Sequence, residues 1–159
     1  MKLGEALLLR ADRKRTLEQL RARIQASARY QEGEKPAEDA NALISMAATV
    51  LDNYEMLIRQ INRTNSQTLM DDGRTITDAL AERDVLRLRH LVVSSSADAA
   101  SGAAGQRAPM LRSTRSELKY VTALNVRTLR EQASDLARRI RELDGRIQQV
   151  NWVTDLQEG

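Results

Sequence analysis

Leu129, Ala133, Leu136, Ile140, Leu143, Ile147 and Val150 recur at alternating steps of four and three. A stripe with a period of ~3.5 residues buries itself only against another helix, so this segment predicts a long helix with a helical partner. A second stripe runs through Leu43, Ala47, Val50, Tyr54, Leu57 and Ile61. Ahead of it, Leu7, Leu17, Leu20, Ile24 and Ala28 mark the apolar face of a first helix from Leu3 to about Gln31. Gly33 predicts its end and Pro36 the start of the next, because proline lacks an N–H that the first helical turn would leave unpaired. Glu38 and Asp39 then complement the positive end of the helix dipole. Helix two is expected over about 37–69, and a connection of about five residues lays the two helices antiparallel.

Asp71, Asp72 and Gly73 close helix two. Thr75 to Asp78 resembles a capping box with Asp in place of Glu, opening a third helix to about Ser95. Residues 94–109 are rich in Ser, Ala and Gly and predict a flexible segment, although their alanines also suit one or two further helical turns. Residues 110–125 hold Leu118, Tyr120 and Val121 in a β-branched stretch where a short strand or hairpin reads as well as a helix does. Thr128, with Glu131 three residues on, predicts the cap of the last helix, expected to run to about Asp155. The fold class is thus mainly α: a single helical domain over residues 1–159, with long antiparallel helices in a three- or four-helix bundle or coiled coil and room for a short β element near 110–125.

Composition sharpens this picture. Aromatics are 3 % of the chain, there is no Phe, and prolines number two, so the core must be aliphatic. The chain has no cysteine, which excludes disulfides, thiolate nucleophiles and thiolate metal sites. A net charge of +3 from 25 basic and 22 acidic side chains is a salt-laced surface rather than a nucleic-acid-binding one. No apolar run is long enough to span a membrane and the first ten residues do not read as a secretory signal, so a soluble, cytoplasmic protein is expected.

Candidate chemistry sits where polar residues interrupt the apolar stripes. Continuing the helix-two stripe past Ile61 reaches Thr64 and Thr68, with Asn62 and Asn65 beside it. These residues either fix helix register or form a small polar site. Leu80, Asp84, Leu88 and Leu91 share one face of helix three, so Asp84 is expected to be buried against a partner. Arg87 can reach it, and Arg141, Arg115 or Asn65 from elsewhere in the chain are better placed. Arg141, Asp144, Gln148 and Asn151 form a polar stripe on the last helix, with Arg141 and Asp144 spaced for an ion pair. Trp152, the only tryptophan, predicts an anchor at a core end or interface. In the first helix Arg10, Arg13, Lys14 and Arg15 interrupt the apolar face, either as a solvated face with stems on the core or as an anion or partner patch. His90 is the only histidine, and neither a catalytic set, a metal-ligand pattern nor a phosphate-binding loop is legible.

Several segments carry a resemblance. They are Leu3-Gly-Glu-Ala-Leu7, Ile61-Asn-Arg-Thr-Asn65, Thr77-Asp-Ala-Leu-Ala-Glu-Arg-Asp84, Arg115-Ser-Glu-Leu-Lys-Tyr-Val121, Arg141-Glu-Leu-Asp144 and Ile147-Gln-Gln-Val-Asn-Trp-Val-Thr-Asp-Leu156. Through them the chain resembles a small, mainly actinobacterial family of helical proteins of unknown function, some of which carry the label septicolysin. That label implies a thiol-activated, membrane-active toxin. The resemblance groups Asn62, Thr64, Asn65, Arg83, Asp84, Arg115, Lys119, Arg141, Asp144, Asn151 and Trp152 as one candidate ligand site.

Three functions follow as expectations. The first is a structural or interaction protein that self-associates through its stripes, since Leu118, Val121, Leu124 and Val126 are surplus to one bundle. The second is a ligand- or metal-binding, or hydrolytic, bundle built on Asn62, Asn65, Arg83, Asp84 and Asp144. The third is the membrane-active toxin. No cofactor, nucleic acid or membrane partner is expected for the first.

Overall fold

The computed structural model describes residues 1–102 and 121–158. Among these residues are four helices: α1 (Leu3–Ser27), α2 (Ala40–Gln67), α3 (Ile76–Ala100) and α4 (Val126–Val153). They hold 76 % of the described residues, and no sheet occurs among these. Among the described residues, two isolated antiparallel bridges, Lys2 with Asp155 and Leu69 with Thr75, are the extended pairings. The mainly α class and the helical packing expected from the stripes are what the chain adopts.

The chain divides into two compact units. The first comprises Met1–Thr77 and Gln148–Gly159, the second Asp78–Ile147. In the first unit α1 packs along α2. Leu9 and Arg13 share a groove with Met56 and Gln60 near the end of α2, while Arg23 pairs with Glu38 just before its start. The two helices are therefore antiparallel. Leu3, Ala6, Leu20, Leu43, Leu57, Ile61 and Leu156 are buried in this unit.

The stripe of α1 is longer than its leucines suggest. Leu3, Ala6, Arg10, Arg13, Leu17, Leu20, Ile24 and Ser27 alternate in steps of three and four, and all are buried or half-buried. Ala28 is exposed and lies beyond the helix. The connection to α2 is also longer than expected. α2 starts not at Pro36 but at Ala40, because the carboxylate of Asp39 accepts the N–H groups of Asn41 (2.9 Å) and Ala42 (3.3 Å). A side-chain cap satisfies two otherwise orphaned donors, which Pro36 cannot do.

Between α2 and α3 the chain makes a tight turn. The Met70 N–H bonds the Arg74 carbonyl (2.8 Å) and the Gly73 N–H bonds the Met70 carbonyl (3.0 Å). Gly73 has φ of 80°, a left-handed conformation that glycine adopts without steric cost. α3 then starts directly after Thr75, with Asp78 in its first turn.

In the second unit α3 and α4 are antiparallel. Arg83 and Arg87 near the start of α3 reach Asp144 late in α4, and Asp98 near the end of α3 meets Arg130 early in α4. The expected stripe of α4 is the one buried: Ala133, Leu143 and Ile147 are buried, and Leu129, Leu136, Ile140 and Val150 half-buried. α4 starts at Val126 rather than behind a Thr128 cap, because the Asn125 side chain accepts the Thr128 N–H (3.1 Å). The Ala-rich stretch from Ser94 to Ala100 prolongs α3. Residues 121–125 hold no strand, and the rest of the expected β region, 110–120, lies outside the described residues.

Candidate functional site

The expectation for Asp84 is overturned. Its side chain is 63 % exposed and pairs with its own neighbour, Arg83 (2.9 Å). The reason is a rival stripe. Ile76, Ala79, Arg83, Leu86, His90, Val93 and Ala97 alternate in steps of three and four, and all of them are buried or half-buried. The leucines that seemed to define the core face, Leu88 and Leu91, are each 62 % exposed.

Asp144, not Asp84, is the carboxylate that gathers charge across helices in the second unit. Arg87 Nη2 lies 2.9 Å from it and Arg83 Nη1 3.8 Å. Arg83 bridges Asp144 and Asp84 from a side chain 22 % exposed. Two further pairs, Arg139 with Glu82 (3.6 Å) and Arg130 with Asp98 (2.6 Å), extend this as a ladder along α3 and α4. His90 stands one turn from Ser94, whose hydroxyl is 3.5 Å from its Nε2. Each guanidinium of the ladder faces a carboxylate, so the ladder holds the register of α3 against α4. No grouping of His, Asp or Glu among the described residues is arranged to hold a metal ion. Arg141 is exposed, and Asp144 is engaged by α3 rather than by Arg141.

In the first unit Thr64 is fully buried. Its hydroxyl donates to the Gln60 carbonyl (2.8 Å) and accepts the Gln157 N–H (3.0 Å), so it ties α2 to the segment after α4. Asn151 is buried in the same unit, Asn65 is half-buried and Asn62 exposed. Trp152 packs on Gly4, where an added Cβ would stand 2.8 Å from the indole. The indole nevertheless leaves Trp152 51 % exposed. Beside it the Leu3 N–H bonds the Thr154 carbonyl and the Leu156 N–H bonds the Met1 carbonyl, both at 2.9 Å. Lys2 Nζ closes this clasp on Asp155 (2.8 Å) and on the Val153 carbonyl (3.0 Å). The hydrogen bond from Lys2 holds the Asp155 carboxyl below its ordinary range.

The polar residues singled out in the sequence thus fall in two groups. Thr64, Asn62, Asn65, Asn151 and Trp152 belong to the first unit, and Arg83, Asp84, Arg141 and Asp144 to the second. Arg115 and Lys119 lie outside the described residues. The sequence reading named Arg87 only as a partner for Asp84, and it missed Glu82 and Arg139 of the ladder, Gln157 of the Thr64 tie, and one further feature. A groove of about 470 Å³ opens beside Arg13, lined by Leu9, Asn53, Met56, Leu57 and Gln60 among others. Arg13 Nε is shielded from solvent and meets no acceptor, a state that costs about 1–3 kcal/mol for a buried donor. Its signal in the sequence was its place in the α1 stripe, four residues before Leu17.

These features define a class: a mainly helical protein whose helix stripes are interrupted by paired arginines and carboxylates. The chain belongs to DUF6847, a family of unknown function, whose sequence profile matches residues 10–156. It is also similar to a solved structure described as a functionally unknown conserved protein from Corynebacterium diphtheriae. That similarity is 35 % identity over 99 % of each chain, with a TM-score of 0.90. No curated protein matches the chain. The actinobacterial kinship implied by the sequence fits these findings, whereas neither description carries the label septicolysin. No described helix is long and apolar enough to cross a membrane.

Proposed function

We propose that this chain is a self-associating helical interaction protein whose contact surface is the outer face of α3 beside α4. The carrying observation is a second stripe on α3. Ala81, Val85, Leu88 and Val92 recur in steps of four, three and four, and Val85 (47 %), Leu88 (62 %) and Val92 (62 %) are exposed. A 3.5-residue apolar period has no use on a solvated face and fits a further helix. With Leu136 of α4, Val85, Leu88 and Val92 line a groove of about 540 Å³.

A second copy is the occupant that the charges favour. The groove is rimmed by Arg89 and Arg139 on one hand and Asp135 on the other. Arg89 has no ion-pair partner among the described residues, so a two-fold contact sets it against the other copy's carboxylate twice over. A cytoplasmic setting belongs to the same reading. Analytical ultracentrifugation tests it: the parent chain is expected to associate at micromolar concentration, and Leu88→Asp with Val92→Asp to sediment as a monomer with unchanged helix content. A parent that stays monomeric removes the proposal.

A further inference from the structure

Two charges in the groove between α3 and α4 are left over from the ladder. Arg89 is exposed, lines the groove from α3 and has no ion-pair partner among the described residues. Asp135 is exposed, lines it from α4 and is the only carboxylate among the lining residues. Arg138 reaches Asp135 at 3.5 Å but stands nearer to Glu142, at 3.2 Å. Arg139, the other cation of the groove, is already engaged by Glu82 (3.6 Å). Arg89 and Asp135 do not meet within one chain because they stand at different heights. Arg130 pairs with Asp98 across the two antiparallel helices. Asp135 follows Arg130 by about five residues, so it is level with Val93 of α3, one turn beyond Arg89; at ~1.5 Å per residue the offset is roughly 6 Å.

We propose that Arg89 and Asp135 are the specificity-determining pair of a closed dimer, each Arg89 bonding the other copy's Asp135 across a two-fold axis perpendicular to the helices at the height of Leu91. The pair rests on the α3 contact proposed above, and it adds what an apolar stripe alone does not set: the register and the closure at two copies. An axis midway between the two heights exchanges them, so each copy's Arg89 comes level with the other copy's Asp135. The same axis seats each copy's Leu136 between the other copy's Leu88 and Val92, as a knob in a hole. Charges and apolar side chains therefore meet in one register. The guanidinium and carboxylate match as a charge-assisted pair. A helix with the wrong charge opposite Arg89 or Asp135 is rejected, whereas the apolar stripe by itself would accept it.

Sedimentation velocity of charge-reversed chains tests the pair. Arg89→Glu sets a carboxylate against Asp135 at both ends of the contact, and Asp135→Arg sets a guanidinium against Arg89 at both ends. Each variant alone should self-associate roughly tenfold or more weakly than the parent. Helical circular dichroism should be unchanged, because both positions are exposed. Mixed in equal amounts, the two variants restore both attractions, and a species of two chains should return. That recovery also shows that each variant is folded. A parent that stays monomeric removes the pair together with the α3 contact. A parent that associates and is broken by Leu88→Asp with Val92→Asp, but whose charge-reversed variants bind each other no better than themselves, overturns the pair and leaves the contact standing. A mixture that grows past two chains overturns the two-fold closure.

Discussion

Gly4 is the residue whose identity the structure constrains most tightly. It is buried in the first turn of α1 with the face of Trp152 against it, and a methyl group there would meet three indole carbons at 2.8, 2.9 and 3.1 Å. Backbone freedom is not the reason for glycine here, since its helical conformation suits any residue; space is. Gly4→Ala should therefore push the indole outward at a cost of about 1–3 kcal/mol, the range for overpacking a contact. Trp152 is the only tryptophan, so its emission reports the site alone. A red-shifted emission with a lowered melting temperature is expected, and unchanged fluorescence would place the indole elsewhere. Thr64 works by a different rule. A buried hydroxyl that both donates and accepts leaves nothing unpaired, so it sits in the stripe at little cost.

At the scale of the helix, the polar members of a stripe decide its register. Asp144 is 34 % exposed and answers two arginines of α3, whereas Asp84 is exposed and answers its neighbour. Asp144→Ala should then destabilise the second unit by roughly 1–2 kcal/mol, more than an exposed pair contributes and less than a fully buried one. Asp84→Ala should stay within about 0.5 kcal/mol, as surface substitutions do. Urea denaturation of both variants distinguishes these outcomes, and the reverse order would restore Asp84 to the core face. The same polar members explain what could be read beforehand. The stripes of α2 and α4 are almost wholly aliphatic, and they were legible and correctly placed. Those of α1 and α3 pass through Arg10, Arg13, Arg83 and His90, so a search for leucines alone loses them. On α3 it finds instead Leu80, Leu88 and Leu91, of which the last two face outward. Helix starts shifted for a related reason: Asp39 and Asn125 each offer a side-chain acceptor to orphaned N–H groups, which local composition at Pro36 and Thr128 did not reveal. The pairing of Arg87 with Asp144, and of Arg139 with Glu82, was out of reach, because pairing across helices depends on their register and not on spacing within either.

At the scale of the molecule, the first unit is closed by contacts between the two ends of the described chain. Lys2 Nζ reaches the Val153 carbonyl 151 positions away, and the backbone bonds of Leu3 and Leu156 lie beside it. Contacts of such sequence separation are slow to form, because the loop entropy is spent before any of them is made. Lys2 and Asp155 add an electrostatic component with a defined sign. The folded carboxyl of Asp155 titrates below its unfolded value, chiefly because Lys2 hydrogen-bonds its charged form. Its contribution is therefore present at neutral pH and is lost as pH falls through the depressed folded value. The pair is solvent-exposed, with side chains 40 % and 78 % accessible, so the contribution is small and screened by salt. Asp155→Asn should melt slightly below the parent at neutral pH. The gap should close in acid, as pH falls through the depressed folded value and both chains come to carry a neutral group, and it should shrink in about 1 M salt. Melting curves across that pH range check this directly: a gap that persists unchanged into strong acid would mean that Asp155 acts through packing or its backbone bridge rather than through its charge.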